Sequence, residues 1–300
     1  MQLLEGKSAS GKLKADLTYQ ACVLQQKGFR PPHLAAVLIG NNGASETYVA
    51  SKIKNCAEIG FQSSLVRFSG TVSEEELLQK LEELNNDATV DGILVQLPLP
   101  KHIDDQKIIN TISPQKDVDG FHPVNLGKLA QGTPTFIPAT PYGIILLMQH
   151  YNIKAKGKHA VIIGRSNIVG RPISILLSSN QPYGNATVTL CHSHTPNLKA
   201  LSLQADILVA ALGKPGFVTA DMIKDGAVVI DVGITRVEDN SAKNGFRIKG
   251  DISFNEVAPK TAYITPVPGG VGLMTIAALL KNTMNAYLQR NNLTETIFNK

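Results

Sequence analysis

The sequence predicts an α/β protein of two domains, the second of them Rossmann-type, and three observations predict it. Short apolar runs alternate with segments of helical period from residue 33 to residue 97, the pattern of a parallel sheet with helical crossovers. Residues 160–163 form a β-branched run that stops at Gly164, and residues 170–178 read as helix, so a strand, a tight turn and a helix start follow one another. Three further strand-like runs, 186–191, 206–211 and 227–232, each end in polar or glycine-containing sequence, as a doubly wound sheet requires at its ligand edge.

The elements follow in order. Residues 9–28 carry Leu13, Leu17, Ala21 and Leu24 at helical period and end in Gly28 and a Pro31-Pro32 pair. A strand is expected over 33–40, a helix over 45–60 and a strand over 61–68. Ser73 starts the next helix, with Glu76 completing a capping box. The apolar strand 92–97 is closed by Pro98 and Pro100. Residues 114–141, rich in Pro, Gly and Asp, read as a loop, and loops carry function more often than regular elements do. Pro141 opens a helix through Tyr151 that leads into the second domain, with Ile144, Leu147 and Met148 on one face. Thr265-Pro-Val-Pro-Gly-Gly-Val-Gly272 precedes a last helix expected over 275–290, with Ile276, Leu279, Leu280, Met284 and Leu288 in register. No internal repeat interrupts this order.

Composition narrows the function classes. A chain of 300 residues with a mean hydropathy of zero is long enough to bury a sizeable core. The net charge of +5 and a pI near 9.0 would suit nucleic acid. The basic residues are spread out, however, and Lys52/Lys54 and Lys154/Lys156/Lys158 lack interleaved aromatics, so small polyanionic ligands are the preferred partners. Cys22, Cys56 and Cys191 are odd in number and far apart, which supports neither a disulfide framework nor a thiolate metal cage and fits a reducing cytoplasm. The amino end has no leader-like run, and no stretch approaches the roughly 18 apolar residues of a membrane span.

The Gly164 turn has the character of a dinucleotide site. Backbone N–H groups at a helix start attract anions, and glycines allow a pyrophosphate to approach. The two glycines are six apart and do not make the standard G-x-G-x-x-G, so an ordinary β-α turn is the competing reading. In a dinucleotide domain the next strand should end on the adenosine ribose. It ends Cys191-His192-Ser193-His194-Thr195 with no carboxylate. Arg165 in the turn can grip a phosphate, and with Ser193 it points to the 2′-phosphate of NADP; the bland reading of Arg165 is a solvated turn residue. His192 and His194 form a polar loop pair, with no third ligand at metal-site spacing.

Tyr48 and Lys52 stand four apart on one helix face. A desolvated lysine beside a tyrosine can exchange protons near neutrality, although an exposed helical pair is the commoner meaning of that spacing. The same pair serves short-chain dehydrogenases, but there it follows the nucleotide turn and here it precedes it. Gln96 ends a buried-looking strand where open α/β sheets bind ligands. Asp117 and Asp119 lie in the Pro/Gly-rich loop, as a solvated turn or half of a metal site.

Five ordered motifs together resemble the bifunctional methylenetetrahydrofolate dehydrogenase/cyclohydrolase family over nearly the whole chain. They are Ser45-Glu-Thr-Tyr48-Val-Ala-Ser-Lys52-Ile-Lys54, Asp91-Gly-Ile-Leu-Val-Gln96-Leu-Pro-Leu-Pro100, Lys116-Asp-Val-Asp119-Gly-Phe, Gly164-Arg-Ser-Asn-Ile-Val-Gly170-Arg-Pro172 and Pro266-Val-Pro-Gly-Gly-Val-Gly272. The resemblance implies a catalytic folate-binding domain over 1–144 with a returning helix at 275–300, and a Rossmann domain binding NADP over 145–274. It implies a cytoplasmic homodimer acting on tetrahydrofolate derivatives. Lys52 would be the central cyclohydrolase residue, Tyr48 would meet the pterin, Gln96 would support the lysine and Asp119 would hold the pterin's donors. Pro266, Gly269 and Gly270 would line the folate pocket. Arg165 and Ser193 would take the 2′-phosphate, with Gly164, Ser166, Thr140, Ile234 and Thr275 along the cofactor.

The implied activity is oxidation of 5,10-methylenetetrahydrofolate with NADP, then hydrolysis of the methenyl product to 10-formyltetrahydrofolate. Two positions depart from the family pattern, Ala139 for its usual cysteine and Leu273 for a proline that suits a helix's first turn. A dehydrogenase that has lost the hydrolytic activity, and a protein that senses NADPH without turnover, are the rival readings.

Overall fold

The computed structural model describes residues 1–239, 241 and 245–298. The chain divides into two units, Met1–Gly11 with Thr140–Thr275, and Lys12–Ala139 with the chain from Ile276 onward.

In the second of these, His33–Ile39 is the middle of a three-stranded parallel sheet, paired with Gln62–Phe68 on one side and Gly92–Val95 on the other. All seven of its residues are buried, which explains an almost unbroken apolar run where a one-sided strand would alternate. The period of two sorts them. Leu34, Ala36 and Leu38 face a core with Leu24, Val49, Cys56, Leu279 and Leu280. Ala35, Val37 and Ile39 face another with Leu77, Leu81 and Ile108. The helices bring matching stripes. Gly43–Glu58 buries Val49, Lys52 and Cys56, and Glu74–Asn86 buries Leu77, Leu81 and Leu84. The serine half of the expected capping box forms, with Ser73 Oγ accepting from Glu76 N at 3.1 Å.

The other unit contains a six-stranded sheet, all parallel, in the order Gln2–Leu3, Tyr263–Ile264, Val228–Asp231, Ile207–Ala210, His159–Ile163, Thr187–Cys191. The chain runs outward from His159–Ile163 to Thr187–Cys191 and then crosses to Ile207–Ala210. That reversal is the topological switch point at which such sheets bind ligands.

Several elements depart from the sequence expectation. The amino end, expected in the first domain, is a strand of the Rossmann sheet, because Gln2 N and Leu4 N donate to Ala262 O and Ile264 O at 2.7 and 2.8 Å. A two-residue strand leaves no periodicity to read. The Pro/Gly-rich stretch contains a helix, Pro123–Gln131, whose cap is His122 Nδ1 accepting from Val124 N at 3.1 Å. The last helix spans Val271–Arg290 and so starts four residues early, with Leu273 N donating to Gly270 O at 3.3 Å. A proline at 273 would lack that donor. An antiparallel pair, Thr235–Glu238 with Phe246–Lys249, was not anticipated.

The last helix also holds the loop that carries Asp119. Asn282, 1 % exposed, donates from Nδ2 to Val118 O and Ile137 O, both at 2.8 Å. Asn282→Leu keeps the volume and leaves the buried Val118 carbonyl and the half-buried Ile137 carbonyl without that donor. A loss of about 3 kcal/mol in unfolding free energy is expected from urea titration.

Candidate functional site

Asn42 starts the helix Gly43–Glu58 by accepting from Ala44 N and Ser45 N at 3.0 and 3.1 Å. Lys52 lies on its third turn, 8 % exposed, and half-buried Tyr48 lies one turn earlier. The exposed-pair reading of these two therefore does not hold for Lys52. Its Nζ donates to Gln96 Oε1 at 3.1 Å. The amide is oriented from behind, because Gln96 Nε2 donates to Leu97 O at 2.8 Å and Gln96 N to Val37 O at 3.0 Å. Burial lowers the Lys52 ammonium from its ordinary value, and the Asp119 charge partly restores it.

Asp117 and Asp119 are both buried, at 2 % and 9 % exposure, so neither belongs to a solvated turn. Their tasks differ. Asp117 Oδ1 accepts from Gly120 N and Phe121 N at 3.1 and 3.2 Å, and its Oδ2 accepts from His122 N and Asn125 Nδ2, both at 2.8 Å. It is committed to shaping the loop. Gly120 needs its glycine, since φ is +75° and a Cβ would sit 2.6 Å from Pro138 N. Asp119 faces the lysine electrostatically. Burial pushes its carboxyl up to about 6, with Lys52 pulling down and Asp117 pushing further up. A lowered amine beside a raised acid is the arrangement expected of groups that exchange protons near neutral pH.

The Gly164 turn belongs to the other unit. Gly164 has φ +120°, and a Cβ on it would overlap Ala211 O; a Cβ on Gly170 would overlap Gly164 O. The pair six residues apart is thus required by closure of one tight turn. Ser166 Oγ accepts from Val169 N and Gly170 N at 3.2 and 3.4 Å, just ahead of the helix Gly170–Ser178. Arg165 and Ser193 are both exposed. Desolvation lowers the His192 imidazole, followed by the charge of Arg165, which brings the guanidinium to the end of the strand Thr187–Cys191. An anion-binding turn, an available arginine and no acidic residue at that strand end fit NADP better than NAD.

The remaining expected residues fall in the same unit. Thr275 Oγ1 donates to Thr140 Oγ1 at 3.2 Å. Ile234 is 47 % exposed, just beyond the strand Val228–Asp231. Pro266, Gly269 and Gly270 form a turn secured from the amino end, where Gly6 N donates to Gly269 O at 2.8 Å. Gly269 has φ +109°, and a Cβ on Gly270 would sit 2.6 Å from Pro266 O, so both glycines are required by the turn itself. Sequence reasoning passed over Asp231 and Asp251, which are 3 % and 0 % exposed at the carboxyl edge of this sheet. The available signal was an Asp directly after an apolar run, with Gly233 two residues on, and the Gly250-Asp251 step. Among the described residues no group of three or more His, Cys, Asp and Glu is arranged to hold a metal ion.

Comparison with known proteins agrees with this geometry. The family model described as tetrahydrofolate dehydrogenase/cyclohydrolase, catalytic domain, matches residues 4–119, and that described as its NAD(P)-binding domain matches residues 138–291. The chain is 58 % identical over 285 residues to the bifunctional protein FolD of Porphyromonas gingivalis, covering 95 % of this chain and 96 % of the relative. It is 57 % identical over 286 residues to the protein of the same name from Cytophaga hutchinsonii, covering 95 % and 99 %. The bifunctional FolD methylenetetrahydrofolate dehydrogenase/cyclohydrolase structure from Campylobacter jejuni superposes with a TM-score of 0.90 at 46 % identity, covering 97 % of this chain and 99 % of that one. The Trypanosoma brucei enzyme, complexed with NADP cofactor and inhibitor, does so with a TM-score of 0.90 at 37 % identity, covering 95 % and 96 %.

Burial of Asp119 yields a stability test. Its folded-state carboxyl titrates near 6 against an ordinary 3.8, so the ionised form burdens the fold fully above pH 6 and not at all once both states are protonated. Asp119→Asn mimics the neutral acid. It is expected to stabilise the protein by about 2 kcal/mol at pH 7.5 and by nothing measurable below about pH 3.5, compared by urea unfolding.

Proposed function

Because the chain belongs to the tetrahydrofolate dehydrogenase/cyclohydrolase family, we infer that it oxidises 5,10-methylenetetrahydrofolate with NADP and hydrolyses the resulting 5,10-methenyltetrahydrofolate to 10-formyltetrahydrofolate. The observation that carries the hydrolytic half is the buried contact of Lys52 Nζ with Gln96 Oε1 beside Asp119. The unit built from 12–139 and 276 onward supplies the folate chemistry. The unit of 1–11 and 140–275 holds NADP, with Gly164, Ser166 and the helix Gly170–Ser178 receiving the pyrophosphate, and Arg165 and Ser193 the 2′-phosphate.

Bound NADP supplies a hydride acceptor at the nicotinamide C4. The substrate's ring nitrogens stabilise the cation left behind, so the protein's contribution to oxidation is orientation rather than acid–base help. Thr140, Thr275 and Ile234 supply that orientation. Asp119 accepts hydrogen bonds from the pterin's donors, and Tyr48 packs on or bonds to the pterin. Hydrolysis is where protons move. Water adds to the methenyl carbon and loses a proton to neutral Lys52. The ammonium so formed then protonates the ring nitrogen whose bond to that carbon breaks, and the adduct's hydroxyl proton passes to solvent as the carbonyl forms, leaving the formyl group on the other nitrogen. Burial of Lys52 makes the neutral amine accessible, and Gln96 holds it through a bond that carries no charge.

A cytoplasmic homodimer is proposed on the same family likeness. No described helix is long and apolar enough to cross a membrane. Light scattering at micromolar protein would give twice the chain mass.

Two substitutions separate the activities. Lys52→Met is expected to abolish hydrolysis of methenyltetrahydrofolate above the spontaneous rate while leaving substantial dehydrogenase activity, and equal loss of both would contradict the division of roles. Arg165→Ala should lower the preference for NADP over NAD by about 1 kcal/mol or more, measured as the ratio of kcat/KM values. An unchanged ratio would place the 2′-phosphate elsewhere.

A further inference from the structure

Two carboxylates at the carboxyl edge of the Rossmann sheet have no part in the chemistry above. Asp231 ends the strand Val228–Asp231, and Asp251 follows the strand Phe246–Lys249. Both are buried and both are satisfied by main-chain donors. Asp251 Oδ2 accepts from Leu212 N and Gly213 N at 2.6 and 3.0 Å, and its Oδ1 from Lys214 N at 2.7 Å. Asp231 Oδ1 accepts from Gly233 N and Asp251 N, both at 2.9 Å, and its Oδ2 from Ile252 N at 3.0 Å. Desolvation pushes Asp231 up to about 6 despite these donors, with the Asp251 charge adding to the rise. The space is reserved for them. A Cβ at Gly250 would overlap Asp231 Oδ2, and one at Gly233 would stand 2.5 Å from Asp251 Oδ1.

The two are linked in series. Asp231 fixes the backbone of Asp251, and Asp251 fixes the loop 212–214 that follows the strand Ile207–Ala210. Asp231 also fixes Gly233, next to exposed Ile234. The strand order states what lies above these loops. With the 2′-phosphate at the end of Thr187–Cys191 and the pyrophosphate at the end of His159–Ile163, a cofactor laid across the sheet reaches Ile207–Ala210 and Val228–Asp231 next. Ala211 already touches the Gly164 turn, where its carbonyl excludes a side chain.

We propose that Asp231 and Asp251 are positioning residues for the nicotinamide half of NADP, acting through the strand-end loops 211–214 and 233–234. Rigid main chain there is what a hydride donor and acceptor need, since a displacement of about 1 Å is enough to cost a large factor in rate. The inference rests on the NADP reading above.

The test uses Asp231→Asn and Asp251→Asn, which keep size and replace one accepting oxygen with an NH2 group facing N–H donors. NADPH binding is followed by nicotinamide fluorescence, and binding of 2′-phospho-ADP-ribose, which lacks nicotinamide, by calorimetry. In each variant the Kd for NADPH is expected to rise about tenfold while that for 2′-phospho-ADP-ribose and the cyclohydrolase turnover stay within about twofold. Parallel weakening of both ligands, no change in either, or loss of folded protein in both variants would overturn the proposal and leave the pair a purely structural brace. Failure of the wild-type protein to bind either ligand would instead overturn the NADP reading.

Discussion

The site depends on keeping one amine dry without pairing it to a full opposite charge. A carboxylate in direct contact with Lys52 would fix it as an ammonium. An apolar neighbour would leave the ammonium unsolvated and costly. The structure takes a middle course. Gln96 gives Nζ one neutral acceptor at 3.1 Å, and Asp119 acts on it through the field alone. Much of the unit serves that balance. Asn42 sets the helix, Val37 and Leu97 orient the amide, and Asp117 absorbs four donors so that the loop presents Asp119 without spending it.

The two units solve a shared problem in similar ways. A parallel sheet presents its ligand edge as a row of loops, and loops are the least constrained part of a fold. In each unit a buried aspartate gathers main-chain N–H groups from such loops, Asp117 in one and Asp251 with Asp231 in the other. Each stands close to a residue proposed to meet ligand. The free-energy cost of burying the carboxylate is offset by three or four charge-assisted bonds, and rigidity is the return.

Legibility in the sequence followed the range of the interactions. The strand His33–Ile39 and the helix Gly170–Ser178 were readable because burial imposes a local pattern. Lys52, Gln96 and Arg165 were marked by residue type at a fixed distance from a strand or turn. Asp117 and Asp119, two residues apart, look alike by residue type; the family resemblance singled out Asp119, and the donors from Gly120, Phe121, His122 and Asn125 are what give Asp117 its separate task. The helix Pro123–Gln131 hid because proline and histidine, its first turn and its cap, also mark loops. The strand Gln2–Leu3 owes its existence to a partner 261 positions further on, Gln2 with Tyr263, and no local signal encodes such a pairing.

That last pairing bears on how the protein is made. Neither unit is a continuous stretch of chain, since each collects residues from before and after the other. The outer strand of the Rossmann sheet is made long before its partner Tyr263–Ile264, while the sheet around His33–Ile39 waits longer still for Leu279, Leu280 and Met284 to cover one face. Synthesis from the amino end therefore finishes neither unit before residue 264 has been made. One apolar face of the sheet around His33–Ile39 stays incompletely covered until Leu279, Leu280 and Met284 have been made, well after the other face can close on Leu77, Leu81 and Ile108.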